Sequence, residues 1–273
     1  MKTRIISAAV LLPVLVILLL AAPKIITVAV WAAMLAIAVY ELLYRTGLIT
    51  EIRLVVYSCV MAVALTFWSY WGAVHAYGLL ILMLFLGVLY GEMMRSHIRI
   101  HFETICMCVM AGAVMPFLLS SLIRIFAMNI GRYVIPIPFI VAFLSDAGAY
   151  FSGHFFGQHK LAPVISTNKT IEGAVGGMLA AVLGMLVYGL IIQLAFPIFR
   201  VNYFYAIIYG LLGSVVGVFG DLCFSVVKRQ TGLKDYGNLI PGHGGVLDRF
   251  DSMMLVGPLM EAFLILLPML RLR

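Results

Sequence analysis

Long apolar runs, separated by short polar stretches, follow one another along almost the whole chain. Each run is close to the roughly 20 residues that an α-helix needs to cross a bilayer. The apolar positions also fill the whole helix circumference instead of a single stripe. The pattern therefore predicts an all-α, polytopic transmembrane protein with about nine spans, at residues 5–22, 25–44, 54–70, 76–94, 104–123, 133–157, 171–196, 203–227 and 250–270.

The first apolar run allows a second interpretation, as a cleaved signal peptide. Lys2 and Arg4 precede the run, and Ala21, Ala22 and Pro23 end it. The run is long for the apolar core of a signal peptide, so an uncleaved first helix is the preferred interpretation. The later topology is the same in either case.

The composition supports a membrane protein and indicates which classes of ligand suit its charge. Hydrophobic residues make up 64% of the chain and charged residues 11%, against about 25% charged in a soluble domain. The formal charge is +7, but the chain has no basic run of five or six residues of the kind that binds nucleic acid. An anionic membrane surface or a phosphorylated substrate fits the charge better. The four cysteines stand in apolar stretches, without metal-site or disulfide spacing.

The Lys and Arg residues are distributed unevenly between the two sides that nine spans would create. With the N-terminus in the cytoplasm, the inside loops hold twelve of them, against six outside. This bias favours an inside N-terminus and an outside C-terminus. We therefore expect a bacterial inner membrane protein whose polar loop at residues 230–250 faces the cytoplasm.

Acidic residues concentrate in the second half of the chain. Six of the eleven lie between positions 146 and 251. We treat the chain as one integral membrane unit, with N-terminal helices in residues 1–130 and the chemistry carried by helices in residues 131–273. Glu41 and Glu92 stand instead near the ends of apolar runs, where long side chains can reach the headgroup region.

Asp221 is the acidic residue that most needs an explanation, because it lies inside an apolar run. If residues 203–229 form one helix, Asp221, Ser225 and Arg229 share a face, with Lys228 beside them. Asp221 would then lie about 12 Å inside the end of that helix, at roughly 1.5 Å per residue. Ionisable residues at such positions usually face a watery cavity and mark a functional site.

The segment after this run is rich in glycine and charge. Its five glycines and Pro241 allow tight turns and a close approach of the backbone to a ligand. Asp248, Arg249 and Asp251 follow it. Carboxylates together with several basic residues suit a divalent cation and a polyphosphate. A solvated loop whose charges pair with one another is the alternative.

At these residues the sequence resembles the CTP:phosphatidate cytidylyltransferase (CDP-diacylglycerol synthase) family. Two upstream segments resemble it too: 146–150, which matches Asp-x-Gly-Ala-Tyr, and 166–173, which matches Ser-Pro-Lys-Lys-Thr-x-Glu-Gly except at Thr167 and Asn168. The second segment could also be a plain helix start with an N-cap. The main signature is matched by Ser225, Lys228, Arg229, Lys234, Asp235, Gly237, Pro241, His243, Gly244, Gly245, Asp248, Arg249 and Asp251.

The resemblance implies transfer of CMP from CTP to phosphatidic acid, with release of pyrophosphate. It implies Mg²⁺ at Asp221 and Asp248, with Asp251 and Asp146 as secondary ligands and a second cation as an option. CTP phosphates would be held by Lys228, Arg229, Lys234 and Arg249, and the phosphatidate headgroup by Ser166, Lys169 and Thr170. The remaining expected substrate contacts are Ser225, Asp235, His243, Gly244 and Gly245. The alternative role for His243 is to order the turn. Membrane lipids are expected partners, and the family suggests a homodimer.

Two other functions remain open at this point. One is a different CTP-dependent lipid enzyme, such as a polyprenol kinase or a cytidylyltransferase for another lipid phosphate. The other is a cation transporter. Transporters tend to have repeated halves whose interrupted helices meet at the middle of the membrane, whereas the charges here gather beside one loop.

Overall fold

A computed structural model describes residues 13–72, 75–96, 98–239, 242 and 244–272, without the side chain of His75. The predicted all-α membrane architecture is confirmed. Within the described residues, seven helices are long and apolar enough to cross a membrane: Lys24–Arg45, Ile52–Trp71, Ala76–Arg95, Phe102–Ala127, Gly131–Phe156, Ile171–Ala195 and Tyr203–Gln230.

The predicted count of nine spans is not confirmed at either end of the chain. Residues 13–20 of the first predicted span are helical, and the span's earlier residues lie outside the described part. The last predicted span, 250–270, is divided into the end of one short helix, the helix Met253–Leu266 and part of a strand. Met253–Leu266 has 14 residues and contains Pro258. At 1.5 Å per residue it is about 21 Å long, shorter than a hydrocarbon core of about 30 Å.

The chain forms two compact units, and each contains two separate segments. One unit comprises Met1–Ala127 and Gln230–Phe250, and the other comprises Met128–Arg229 and Asp251–Arg273. The polar loop expected to belong with the C-terminal helices is therefore part of the first unit. Asp221 and Asp251 belong to the second unit, and Asp248 belongs to the first.

The first unit is built on helix α1 (Lys24–Tyr40), which continues as a π-helical turn, Glu41–Arg45. The buried residues of α1 recur every three or four positions, as Val28, Trp31, Leu35 and Val39 do, so one face of the helix packs into the unit. Its other helices are α2 (Ile52–Trp71), α3 (His75–Arg95), α4 (Phe102–Val109), α5 (Met115–Leu119) and α6 (Ser121–Ala127), with a second π-helical turn at Met110–Val114.

The second unit contains α7 (Gly131–Val134), α8 (Pro136–Phe156), α9 (Ile171–Ala195) and α10 (Tyr203–Gln230). Helices α8 and α9 approach closely through small residues, since a Cβ added at Gly177 would lie 2.6 Å from the Ser145 carbonyl oxygen. Ser145 also joins α8 to α10, because its Oγ lies 2.7 Å from Ser214 Oγ. These contacts hold the helices that carry the acidic residues of this unit.

Short strands, which the apolar pattern did not predict, form two antiparallel pairs among the described residues. β1 (Lys160–Ala162) pairs with β2 (Ser166–Thr170), and β3 (Phe199–Val201) pairs with β4 (Leu270–Leu272). The β1–β2 hairpin ends directly at α9. Thr170 is the N-cap of that helix, and its Oγ1 accepts a hydrogen bond from Gly173 N at 3.1 Å.

After α10, two short helices follow in the chain. These are α11 (Leu247–Phe250), which belongs to the first unit, and α12 (Met253–Leu266), which belongs to the second. Within the first unit, the Phe250 ring meets the Trp31 ring edge to face, with 5.0 Å between centroids. This aromatic pair fixes α11 to α1.

Candidate active site

In the second unit, Asp221 is neutralised by a lysine. Helix α10 is continuous through Tyr203–Gln230, so the predicted i, i+4 relation is confirmed: Ser225 Oγ donates to Asp221 Oδ1 at 3.3 Å. Lys169 Nζ lies 2.5 Å from Asp221 Oδ2. Both charged side chains retain about a quarter of their exposure, 23% for the lysine and 27% for the aspartate. The carboxylate thus has a flexible cationic partner and some access to solvent.

A second lysine–carboxylate pair lies at the same part of α10. Lys228 Nζ lies 3.8 Å from Asp251 Oδ2, and both side chains are largely buried. A Cβ at Gly220 would lie 3.1 Å from the Asp251 carbonyl oxygen, so the absence of a side chain there lets the Asp251 backbone approach α10. Asp251 Oδ1 also accepts a hydrogen bond from Ser252 N at 2.8 Å.

The acidic residues of this unit repel one another. Asp251 lies outside the seven spanning helices. Its burial raises its pKa to about 7, repulsion from Asp221 and Asp146 acts in the same direction, and Lys228 acts against them. Asp146 is exposed on α8. A divalent cation would relieve this repulsion.

The segment that carries Lys169 is a strand, which the sequence did not predict. Ser166, Lys169 and Thr170 all lie in β2, and Arg229 Nε reaches back to the hairpin, donating to the Ile165 carbonyl oxygen at 3.4 Å. The N-cap interpretation of this segment is confirmed for Thr170. Because β2 pairs with β1 and ends in a capped helix, the backbone that presents Lys169 is fixed at both ends.

At the start of α9, Glu172 binds the residues that precede β1, at the open end of this hairpin. Its carboxylate accepts hydrogen bonds from the backbone N–H groups of Gln158 and His159, at 3.2 Å each. His159 Nδ1 lies 2.6 Å from Glu172 Oε1. The hairpin that carries Lys169 is therefore held at its base by one carboxylate.

In the first unit, Asp248 is held by backbone amides. It lies on α11 and is 5% exposed. Its Oδ2 accepts hydrogen bonds from Tyr236 N at 2.8 Å and from Gly245 N at 3.0 Å. The aspartate therefore joins two parts of the glycine-rich loop and orders the turn before α11.

Glu41 lies on the other side of the same turn, contrary to the expectation that it reaches the headgroup region. It is 3% exposed. Its Oε1 accepts from Val246 N at 3.1 Å, and its Oε2 accepts from Leu247 N at 2.9 Å. Sequence reasoning missed this contact, because Val246 and Leu247 follow Glu41 by 205 and 206 positions in the chain. The available signal was a carboxylate at the end of an apolar helix, where the helix dipole disfavours negative charge.

The glycines of the loop serve two different needs. Gly232, Gly242 and Gly244 have positive φ angles, which confirms the tight turns expected of them. Gly237 and Gly245 are instead required by Glu41, since a Cβ at either position would collide with its carboxylate. Pro241 and His243 lie outside the described residues, so their predicted roles stay predictions.

Three other expected substrate-binding residues of the first unit are on the surface. Lys234 and Asp235 are exposed in the loop, and Arg249 is exposed on α11. Arg249 N donates to the Val246 carbonyl oxygen at 3.0 Å as part of the turn. These side chains are accessible to a ligand from solvent.

Comparison with known proteins identifies the family of the chain. A family model described as "Cytidylyltransferase family" matches residues 2–267. The chain belongs to this cytidylyltransferase family. Proteins named phosphatidate cytidylyltransferase are similar to it: those from Staphylococcus haemolyticus and Staphylococcus aureus are 44% identical over 135 residues, 50% of each chain. The one from Staphylococcus epidermidis is 45% identical over 134 residues, 49% of each. The aligned part of this chain thus spans about half the length of these curated relatives.

The carboxylates of the second unit are of the chemical type that Mg²⁺ prefers. Asp221 and Asp251 supply the carboxylate oxygens. Burial is the main cause of the raised pKa of Asp251, and a cation would offset the repulsion from Asp221 that adds to it. Among the described residues, no group of three or more His, Cys, Asp or Glu side chains lies close enough to hold a metal ion by itself. Mg²⁺ usually keeps several waters and takes one or two carboxylates together with substrate phosphates, so the residues fit this ion.

Proposed function

We propose that this protein transfers CMP from CTP to phosphatidic acid, giving CDP-diacylglycerol and pyrophosphate. The observation that carries the proposal is the pairing of Asp221 with Lys169 beside the Lys228–Asp251 pair, on a membrane-spanning helix of a cytidylyltransferase. Carboxylates for a cation and lysines for phosphates thus occur together in one unit. The names of the similar staphylococcal proteins support this choice of substrate.

Asp221 in the second unit and Asp248 in the first stay the proposed Mg²⁺ ligands, with Asp251 and Asp146 in secondary roles. Bound there, Mg²⁺ would neutralise the charge that develops on the triphosphate as pyrophosphate leaves. Asp221 can give up Lys169 for another cation, because the lysine side chain is flexible and partly exposed. Asp248 Oδ2 accepts hydrogen bonds from two backbone amides, and these bonds order the turn that carries the aspartate. A second cation stays an option.

Basic side chains would position the two substrates. Lys228, Arg229, Lys234 and Arg249 are proposed to hold CTP, and Lys169 with Ser166 the phosphatidate headgroup. Thr170 caps α9, so its main contribution is to fix the strand that presents Lys169. Ser225 orients Asp221. Asp235, Gly244 and Gly245 would shape the loop around the nucleotide.

The reaction needs no dedicated general base. An oxygen of the phosphatidate phosphate attacks the α-phosphorus of CTP, the bond to the bridging oxygen of the β-phosphate breaks, and the electron pair leaves with pyrophosphate. A phosphate monoester has a second pKa of about 6, so it is largely a dianion at neutral pH. The protein then contributes orientation and electrostatic stabilisation, and a catalytic histidine is not required.

Labelled CTP tests the proposed function directly. With phosphatidate and purified protein, label from the α-phosphate should enter the lipid phase, with equimolar pyrophosphate, while label from the γ-phosphate stays in water. Transfer of the γ label to lipid would show a kinase instead. Absence of transfer from either position to any lipid phosphate would favour a transporter.

The proposed orientation places the loop in the cytoplasm, where CTP is found, in a bacterial inner membrane. Asn238 is exposed in this loop and suits a single reporter cysteine, once Cys59, Cys106, Cys108 and Cys223 are replaced. The reporter should resist an impermeant thiol reagent in intact cells and react after lysis. Labelling of intact cells would reverse the orientation. The homodimer stays a prediction, to be tested by the mass of the protein in detergent.

A further inference from the structure

Glu41 is a buried carboxylate that the proposed mechanism does not use. It belongs to the π-helical turn that extends α1, a departure from α-helical geometry often found at functional sites. Burying a carboxylate is costly unless it is well hydrogen-bonded. Its position near the C-terminal end of a helix adds an unfavourable interaction with the helix dipole. The residue therefore needs a compensating interaction elsewhere.

That compensation comes from the turn that carries Asp248. Glu41 accepts hydrogen bonds from Val246 N and Leu247 N, one on each oxygen. The preceding amide, Gly245 N, donates to Asp248. Three consecutive amides of this turn are thus bound by two carboxylates, one local and one from a helix about two hundred residues earlier. Hydrogen bonds to a charged acceptor are about twice as strong as neutral ones, so Glu41 restrains the turn firmly.

Steric contacts point to the same arrangement. A Cβ at Gly245 would lie 2.5 Å from both carboxylate oxygens of Glu41, and the three nearest atoms all belong to that side chain. Gly245 is absent from the glycines with positive φ, so its backbone conformation does not by itself demand glycine. The contact with Glu41 accounts for a glycine at this position of the motif.

We propose that Glu41 is a positioning residue for the cytidylyl transfer: its carboxylate bridges Val246 N and Leu247 N and so fixes the turn that presents Asp248 and Arg249. This inference rests on the proposed function for its effect on catalysis. The anchoring of the turn itself does not depend on that function. The two can therefore be measured separately.

The test compares Glu41→Gln with Glu92→Gln in the full-length protein in lipid nanodiscs. Glu92 is a matched control, since it is 9% exposed, belongs to the same unit and bonds to Arg53 and Tyr57 instead of the loop. Glutamine at 41 offers one acceptor oxygen and turns an NH₂ group toward the other amide. Hydrogen exchange of the peptide covering residues 245–250 should rise about tenfold or more in Glu41→Gln. It should stay unchanged in Glu92→Gln.

The kinetic arm measures transfer of α-labelled CTP by the same proteins. Displacement of a catalytic group by about 1 Å can cost roughly a hundredfold in rate, so kcat of Glu41→Gln should fall by about that factor. KM for CTP should rise as well, because the turn also carries Arg249, while KM for phosphatidate should change little. If hydrogen exchange at residues 245–250 were unchanged in Glu41→Gln, the inference would be overturned. It would also be overturned if exchange rose in this variant while kcat stayed at the wild-type value. If the wild-type protein transfers no CMP, the proposed function fails, the positioning role fails with it, and the exchange data still decide whether Glu41 anchors the turn.

A second pair of variants keeps the inference testable if Glu41→Gln does not fold. Gly245→Ala pushes on the Glu41 carboxylate from the loop side and should raise exchange in the same peptide. Glu41→Asp shortens the acid by one methylene and makes room for the new methyl group. The double variant should therefore have lower exchange and higher kcat than Gly245→Ala alone. A double variant that is worse than Gly245→Ala would contradict the proposed contact.

Discussion

Asp248 and Asp221 are both expected ligands of the same kind, yet the two units stabilise them by different means. In the first unit, Asp248 and Glu41 are bound by backbone amides and are almost completely buried. In the second, Asp221 and Asp251 are paired with lysine side chains. An amide cannot leave its carboxylate without unfolding the turn, whereas a lysine can exchange its partner for a phosphate. The first group therefore orders the backbone, and the second is suited to exchange with ligands.

Truncating each aspartate should expose this difference most strongly. Asp248→Ala leaves two buried N–H groups without their acceptor, at about 1–3 kcal/mol each. We therefore expect a loss of about 2–6 kcal/mol in the free energy of unfolding. Asp221→Ala removes a partly exposed ion pair and should cost less than about 1 kcal/mol. Thermal unfolding in detergent measures both.

Asp248→Asn is the control for the first of these variants, because it keeps an oxygen acceptor and should recover most of the stability. Equal destabilisation by Asp248→Ala and Asp221→Ala would contradict the division into ordering and exchangeable carboxylates.

The exchangeable role of Lys169 predicts an intermediate effect on substrate binding. Lys169→Ala should raise KM for phosphatidate about tenfold, since a charge-assisted contact contributes roughly 1.5 kcal/mol. Lys160, exposed in the neighbouring strand β1, provides the matched substitution. If Lys160→Ala raised KM as much as Lys169→Ala, the effect would reflect the general positive charge of the hairpin.

Ser225 should give the smallest effect. Its hydroxyl makes one hydrogen bond to Asp221, and a loss of about 1 kcal/mol corresponds to roughly a fivefold drop in kcat. Ser225→Thr retains the hydroxyl and should stay near wild type. Ser214→Ala, on the same helix, breaks the contact with Ser145 and should lower stability with little effect on kcat. Unchanged kcat in Ser225→Ala would remove Ser225 from the site.

Local sequence patterns were sufficient for one part of this arrangement. A helix through residues 203–230 places Asp221 and Ser225 one turn apart by geometry alone, and their hydrogen bond follows. Thr170 caps α9 for a similarly local reason. The apolar runs indicated most spanning helices because the bilayer sets a minimum length.

Contacts between distant parts of the chain could not be read in the same way. Glu41 stands near the end of an apolar run, which suggested a side chain in the headgroup region. Its true partners are amides of Val246 and Leu247, and backbone groups leave no trace in the residue types. The β1–β2 hairpin was missed because its polar residues lack the alternation of a half-buried strand.

We propose that Asp221 and Asp248 are both required for Mg²⁺-dependent transfer of CMP to phosphatidate. The most direct test of this claim is the transfer of α-labelled CTP to lipid by Asp221→Asn and Asp248→Asn at saturating Mg²⁺, with expression and membrane insertion verified. Loss of a metal ligand removes several kcal/mol of transition-state stabilisation, so each variant should be slower by about a thousandfold or more. Wild-type transfer by either variant would contradict the claim.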